Sequence, residues 1–157
     1  MIHVITGPPC AGKSTYMREH AQEGDVLVDY DLIAQAFGRK EPHASRIGAT
    51  GPHLAAFVAR RAVIDWALEH ASDVESWVIH TNPTPEDMEA YEGAGAEVIA
   101  LDTDMETCLR RAEADGRPPG TDEAIREWFE SNEAPKGRDA KLKTKVSSVG
   151  KISLNEQ

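Results

Sequence analysis

The sequence predicts an α/β fold in three layers: a mainly parallel sheet of four to five strands, helices on both faces, and an arginine-bearing lid. Three observations point there. Short β-branched runs alternate with helical patterns along the whole chain. The first run, IHVIT, is apolar enough for a strand buried on both faces. It stops at a Gly-Pro-Pro turn that opens into a helix. In such sheets the ligand site lies at the carboxyl ends of the strands.

The elements follow in order. Ile2 to Thr6 is the first, central strand. Lys13 to about Gln22 is a helix closed by Gly24. Val26 to Val28 is a second strand, running into acidic residues. DLIAQAFG reads as a short helix, with Asp31 near its start and Gly38 as its stop. Residues 38–52 are rich in Gly and Pro and carry Arg39, Lys40, His43 and Arg46; they read as a loop or partly ordered flap. A long helix runs from about His53 to His70, with Leu54, Phe57, Val58, Ala62 and Trp66 at helical spacing. Trp77 to His80 is a third strand. TPEDMEAYEGAG is a helix capped by Thr84 before Pro85. AEVIALD holds a fourth strand. DMETCLRRAEADG is a helix with Asp104 as its cap, RPPG is a turn, and TDEAIREWFESN is a last capped helix. The sequence thus divides into a domain over 1–132 and a polar, basic, flexible tail over 133–157, with a late strand at Val146 to Val149 as the alternative.

Bulk properties narrow the function. At 157 residues the chain suits one domain with a real core. Its apolar runs are far too short for a membrane span, and MIHVITG lacks the basic and apolar regions of a secretion signal. Cys10 and Cys108 show no metal-ligand spacing, and a disulfide at Cys10 would obstruct the turn it sits in; a reducing cytoplasm is the expected setting. The net charge is −10, although residues 133–157 hold six Lys and Arg against three Asp and Glu. An acidic body argues against broad duplex binding, which needs phosphate neutralisation. It leaves room for a nucleotide or strand end in a local basic pocket.

GPPCAGKS, from Gly7 to Ser14, fits G-x-x-x-x-G-K-[ST] at every fixed position, with the required strand before and helix after. Gly7, Pro8, Pro9, Cys10, Ala11, Gly12, Lys13, Ser14 and Thr15 are the expected nucleotide cradle. Gly12 lets the backbone curl through positive φ. The loop amides and the helix N-terminus then face the phosphates. Lys13 reaches the β and γ phosphates of ATP, and the Ser14 hydroxyl ligates Mg2+. Thr15 reads as a structural helix residue more than a second metal ligand.

A second substrate needs its own groups. Asp29 and Asp31 follow the second strand. Asp31 is the favoured general base, with an N-cap role as its alternative; Asp29 is a loop residue or a distant metal partner. Arg110, Arg111 and Arg117 surround RRAEADGRPPG. Arg117 and Arg111 are expected to close over the transferring phosphoryl group and stabilise its charge, with surface ion pairing as the bland reading. His80, at the end of the third strand, is either a hydrogen-bonded core histidine or a site residue beside Thr81 and Asn82. The basic loop at Arg39 to Arg46 either touches an anionic acceptor or is a solvated flap.

On TGPPCAGKSTYMREHA, VLVDYDLIAQAFG, VIHTNPTPEDMEAYEGAGAEVIALD and CLRRAEADGRPPGTDEAIREWF, in that order over about residues 2–130, the chain resembles the small P-loop kinases of the polynucleotide 5′-hydroxyl kinase type. It resembles the zeta-toxin and gluconate-kinase groups more loosely. The resemblance implies a P-loop NTPase fold and an ATP- and magnesium-dependent phosphotransferase, with Lys13 and Ser14 on the donor, Asp31 as base and a lid arginine on the donor phosphates. It implies transfer to a hydroxyl, or a phosphate, of a nucleic-acid-related acceptor: a 5′-hydroxyl polynucleotide end, a nucleoside, a nucleotide or a modified base in DNA. This chain departs from the family pattern at Ala34, where polynucleotide members carry an acceptor-holding arginine, at His80, where the family has an aspartate, and at Asp115, which breaks the lid's arginine spacing. A nucleotide-binding module without catalysis and a switch-type ATPase are the competing readings.

Overall fold

A computed structural model describes residues 1–43 and 50–132. Arg46, the tail and the strand expected at Val146 to Val149 lie outside the described residues. Four strands form one sheet: β1 (Ile2–Thr6), β2 (Val26–Val28), β3 (Ser76–Ile79) and β4 (Glu97–Ala100). Their order is β2-β3-β1-β4 and every pairing is parallel. β1 is therefore central, with Val4 opposite Val78 on one side and Val98 on the other. A central parallel strand is covered on both faces, which is why IHVIT is apolar nearly throughout.

Among the described residues, six helices connect and cover the strands: α1 (Lys13–His20), α2 (Tyr30–Ala36), α3 (Gly51–Glu69), α4 (Pro85–Gly93), α5 (Met105–Ala114) and α6 (Thr121–Asn132). The strand period of two splits the core. Ile5, Trp77 and Ile99 pack with Met17 of α1, Cys108 and Ala112 of α5, and Ile125 of α6. Ile2, Val4 and Val78 face the other way, onto Ile64 and Ala67 of α3 and Tyr91 of α4. The three-layer α/β fold is as the sequence predicts.

Local chemistry sets the helix starts. Thr84 and Asp87 form a reciprocal capping box at α4, with Pro85 in the first turn. Asp104 accepts from the Thr107 amide and caps α5. Two starts differ from expectation. α3 begins at Gly51, ahead of His53, because Thr50 and Pro52 form an entry of their own. α2 begins at Tyr30 with Asp29, not Asp31, as its N-cap: the Asp29 carboxylate accepts from the Asp31 amide at 2.9 Å. α1 ends at His20, short of Gln22. The stripe anticipated on α3 is not its buried face. Leu54, Phe57 and Val58 are exposed, and the helix packs through Ala56, Ile64 and Ala67. The buried side carries two alanines beside Ile64, a pattern that hydrophobic size alone conceals.

Candidate functional site

The sequence between β1 and α1 folds into a tight loop at the carboxyl end of the central strand. Gly7 has φ +133°, and a Cβ there would meet the Leu101 carbonyl oxygen at 2.8 Å. Glycine is required at that point by both backbone and space. Gly12, at φ 98°, is the N-cap of α1 and carries no side chain to satisfy the helix's first amides. Those amides and the helix dipole make a site for anionic oxygens. Cys10 sits at φ 62°, a left-handed conformation that a non-glycine residue holds only where its surroundings impose it.

The groups that hold the loop come from the segment after β4 and from α5. The Ala11 carbonyl accepts from the Thr103 hydroxyl and from the Arg111 guanidinium, each at 3.2 Å. Thr103 is itself buried. Leu101 is tied to the end of β1 by its amide, which donates to the Thr6 carbonyl at 3.0 Å. Arg111 thus supports the loop from behind, and it is not among the residues that line the cavity in front.

Lys13 lies within the loop. Its ammonium donates to the carbonyls of Gly7 at 2.8 Å and Pro8 at 2.6 Å. Burial brings its pKa down to about 8. The next residue, Ser14, donates its hydroxyl to the Asp29 carboxylate at 2.9 Å. Thr15 lies one position further along α1, on the cavity wall.

In front of the loop lies a cavity of about 890 Å³. Its wall gathers groups from every strand-end segment except that of β4: Lys13 and Ser14 after β1, Asp29 and Asp31 after β2, and His80, Thr81 and Asn82 after β3. Asp31 is in the first turn of α2, its side chain 30% exposed, with the nearly enclosed Arg39 guanidinium 2.9 Å from its carboxylate. Arg39 also donates to the Asp31 and Pro42 carbonyls, which fixes the chain leaving α2. The basic loop read as an acceptor contact or a solvated flap is thus partly structural: Arg39 is buried and held on Asp31.

The turn between α5 and α6 closes another side. Arg117 lines the cavity and donates to His43 Nδ1 at 3.0 Å. The same ring nitrogen is 3.6 Å from the second Asp31 oxygen. Arg117 and Asp31 therefore both lie beside His43, a proximity no spacing rule announces because Arg117 and His43 are 74 positions apart. Arg117 Nε is buried with no partner. Arg117 and Asp31 both line the cavity; Arg110, held by Thr107, does not.

His80 takes both of its alternatives at once. It borders the cavity and hydrogen-bonds the buried Tyr91 hydroxyl at 2.9 Å through Nδ1. Its Nε2 is 3.7 Å from Asp87. Burial, followed by the positive charge of Arg60, lowers its pKa to about 4, so the ring is neutral at pH 7. Sequence reasoning missed Arg60, which reaches the cavity from α3 and donates to the Ile79 carbonyl at 2.8 Å. Its only sequence signal is a cation in the middle of a helix whose buried residues are otherwise small or apolar.

Among the described residues, no cluster of three or more His, Cys, Asp or Glu could enclose a metal ion. Magnesium seldom needs one: it takes one or two protein oxygens and completes its shell with phosphates and water. The Ser14 hydroxyl beside the Asp29 carboxylate fits that habit, and the uncapped amides of α1 fit the phosphates. Among the described residues, no helix is long and apolar enough to cross a membrane.

No family model and no curated protein sequence matches this chain. Solved structures do resemble it. Shikimate kinase from Acinetobacter baumannii in complex with shikimate superposes with a TM-score of 0.51 at 19% identity, over 82% of this chain and 74% of that one. The Deinococcus radiodurans tunicamycin resistance protein gives 0.49 at 18% identity, over 82% and 79%. Deoxyadenosine kinase from M. mycoides gives 0.36 at 16% identity, over 84% and 85%. The first likeness shows the fold and no more; the other two fall lower and carry no argument.

Proposed function

We propose that the chain is an ATP-dependent phosphotransferase that moves the γ-phosphate to a hydroxyl of a second substrate. One observation carries this reading: a phosphate loop with its lysine and serine shares a single cavity with the strand-end carboxylate Asp31. Lys13 and the α1 amides hold the donor phosphates. Ser14, with Asp29 behind it, holds Mg2+, which when bound neutralises charge on the β and γ oxygens. Asp31 takes the proton of the attacking hydroxyl. A bond forms between that oxygen and the γ-phosphorus, the bond to the bridging oxygen breaks, and ADP leaves. Arg117 answers the charge on the transferring group from the α5–α6 turn, while Arg111 acts by bracing the loop at Ala11. Thr15, Cys10 and the two prolines complete the cradle.

The acceptor is proposed to be nucleic-acid-related: a nucleoside, a nucleotide, a modified base or a 5′-hydroxyl strand end. The sequence resemblance to polynucleotide-type kinases supports this, and the likeness in fold to shikimate kinase is in keeping with the kinase reading. Incubation with γ-labelled ATP, Mg2+ and a panel of nucleosides, mononucleotides and 5′-hydroxyl oligonucleotides tests it. Label should pass to at least one acceptor class. Hydrolysis at the same rate with and without every acceptor would favour a switch-type ATPase, and binding without turnover a module without catalysis.

A further inference from the structure

Arg60 is a cation without a carboxylate. Its side chain is half-buried, it lines the same cavity, and it donates to the neutral Ile79 carbonyl at 2.8 Å. Among the described residues no Asp or Glu pairs with it. Asp87, whose charge reaches it, is committed elsewhere: to Arg61 at 2.8 Å and to the Thr84 amide at 3.0 Å. Asp29 is committed to Ser14 and the Asp31 amide. Its neighbour His80 is held neutral by burial and bonded to Tyr91, so it adds no second positive charge there.

A guanidinium partly withdrawn from water, with no carboxylate beside it, loses solvation that no ion pair replaces. Its planar fork of donors matches a carboxylate or phosphate, and one bond to a backbone carbonyl uses a small part of it. Proteins that bear such a cost at a cavity wall place the missing anion in the cavity. Arg60 is also separate from the donor cradle: it comes from α3, whereas Lys13 and the loop amides come from the β1–α1 corner.

We propose that Arg60 anchors an anionic group, phosphate or carboxylate, carried by the acceptor, at a subsite bordered by His80 and the end of β3. The inference deepens the phosphotransferase reading and rests on it for the word acceptor. In this chain the position three residues after Asp31 is Ala34, so α2 offers no cation there, and α3 supplies one instead. Among the proposed acceptors this favours an anion such as a nucleotide, since a neutral nucleoside lacks the group that Arg60 holds.

Arginine modification tests this without an acceptor in hand. The full chain, saturated with Mg-ADP to fill the phosphate loop, is treated with phenylglyoxal at fixed ionic strength. Chloride, inorganic phosphate and malonate are compared, and modified sites are read by mass spectrometry. Arg61, paired with Asp65 and Asp87 outside the cavity, is the internal control. Phosphate, malonate or both should slow modification of Arg60 and leave Arg61 unchanged; which anion protects names the acceptor's charged group. Equal rates in all three salts overturn the proposal. The same series on Lys13→Ala without ADP separates the two claims. If Mg-ADP fails to bind the parent, the kinase reading falls, while protection of Arg60 in Lys13→Ala still stands for the anion site. Thermal unfolding gives a second readout: phosphate should raise the midpoint of Lys13→Ala and lose that effect when Arg60→Gln is added. Retention of the full shift in the double variant contradicts the assignment.

Discussion

The Ser14 hydroxyl and the Asp29 carboxylate are joined at 2.9 Å, and the same carboxylate caps α2 through the Asp31 amide. One side chain therefore links the phosphate loop to the helix that carries the proposed base. Its two oxygens are divided between these tasks. An amide at this position keeps the cap's acceptor but loses the charge beside Ser14. Asp29→Asn should raise the magnesium concentration for half-maximal transfer by about tenfold to a hundredfold. A magnesium titration of the label-transfer rate checks this, and an unchanged midpoint removes Asp29 from the metal's surroundings.

Asp31 has a different task and a different signature. Asp31→Asn should lower kcat by roughly 10²- to 10⁴-fold, the span of general acid–base catalysis, with the KM for ATP unchanged. Arg39 would still face the amide oxygen and the NH2 group would take the place of the oxygen beside His43, so folding should survive. Steady-state kinetics on the best acceptor of the panel give the answer. Full activity in this variant would end the assignment of Asp31 as base.

Gly7 is tested by stability. A methyl group there meets the Leu101 carbonyl at 2.8 Å and must adopt φ +133°. Gly7→Ala should cost about 1–3 kcal/mol, the range for strained backbone positions. Urea unfolding of the two chains measures it, and an unaltered midpoint would mean that the loop and β4 are not in such close approach.

His80 gives the protein a pH-dependent contribution to stability. Its folded pKa of about 4 lies below the ordinary 6.5, so the unfolded chain binds the proton more readily. The contribution is complete above about pH 6.5 and is lost as pH falls toward about 4, amounting to about 3 kcal/mol at most. His80→Gln should flatten the slope of unfolding free energy across that window. Parallel slopes for the two chains would show that His80 titrates normally.

Much of this was legible in the sequence for a physical reason. The phosphate loop is contiguous, so its glycines, lysine and serine announce themselves together, and the strands beside it are marked by β-branched runs. The caps at Thr84 and Asp104 act over three residues and are equally local. What the sequence concealed is long-range. Asp29 exceeds its expected role because Ser14 lies 15 residues away in the chain and adjacent in space. Arg111 was read as facing the substrate, yet its guanidinium turns to Ala11, 100 residues back. The exposed apolar side chains of α3 misled for another reason: periodicity finds a stripe, but the side that is buried carries Ala56, Ile64 and Ala67.

The most direct measurement is a calorimetric titration of the parent chain and of Lys13→Ala with ATP in excess magnesium. The account expects saturable binding at one site per parent chain. It expects a loss of affinity on the order of a hundredfold or more in the variant, where the loop's cation is gone. Equal affinity in both chains, or no heat of binding in the parent with any purine triphosphate, would contradict the claim that this corner of the fold holds a nucleotide's phosphates.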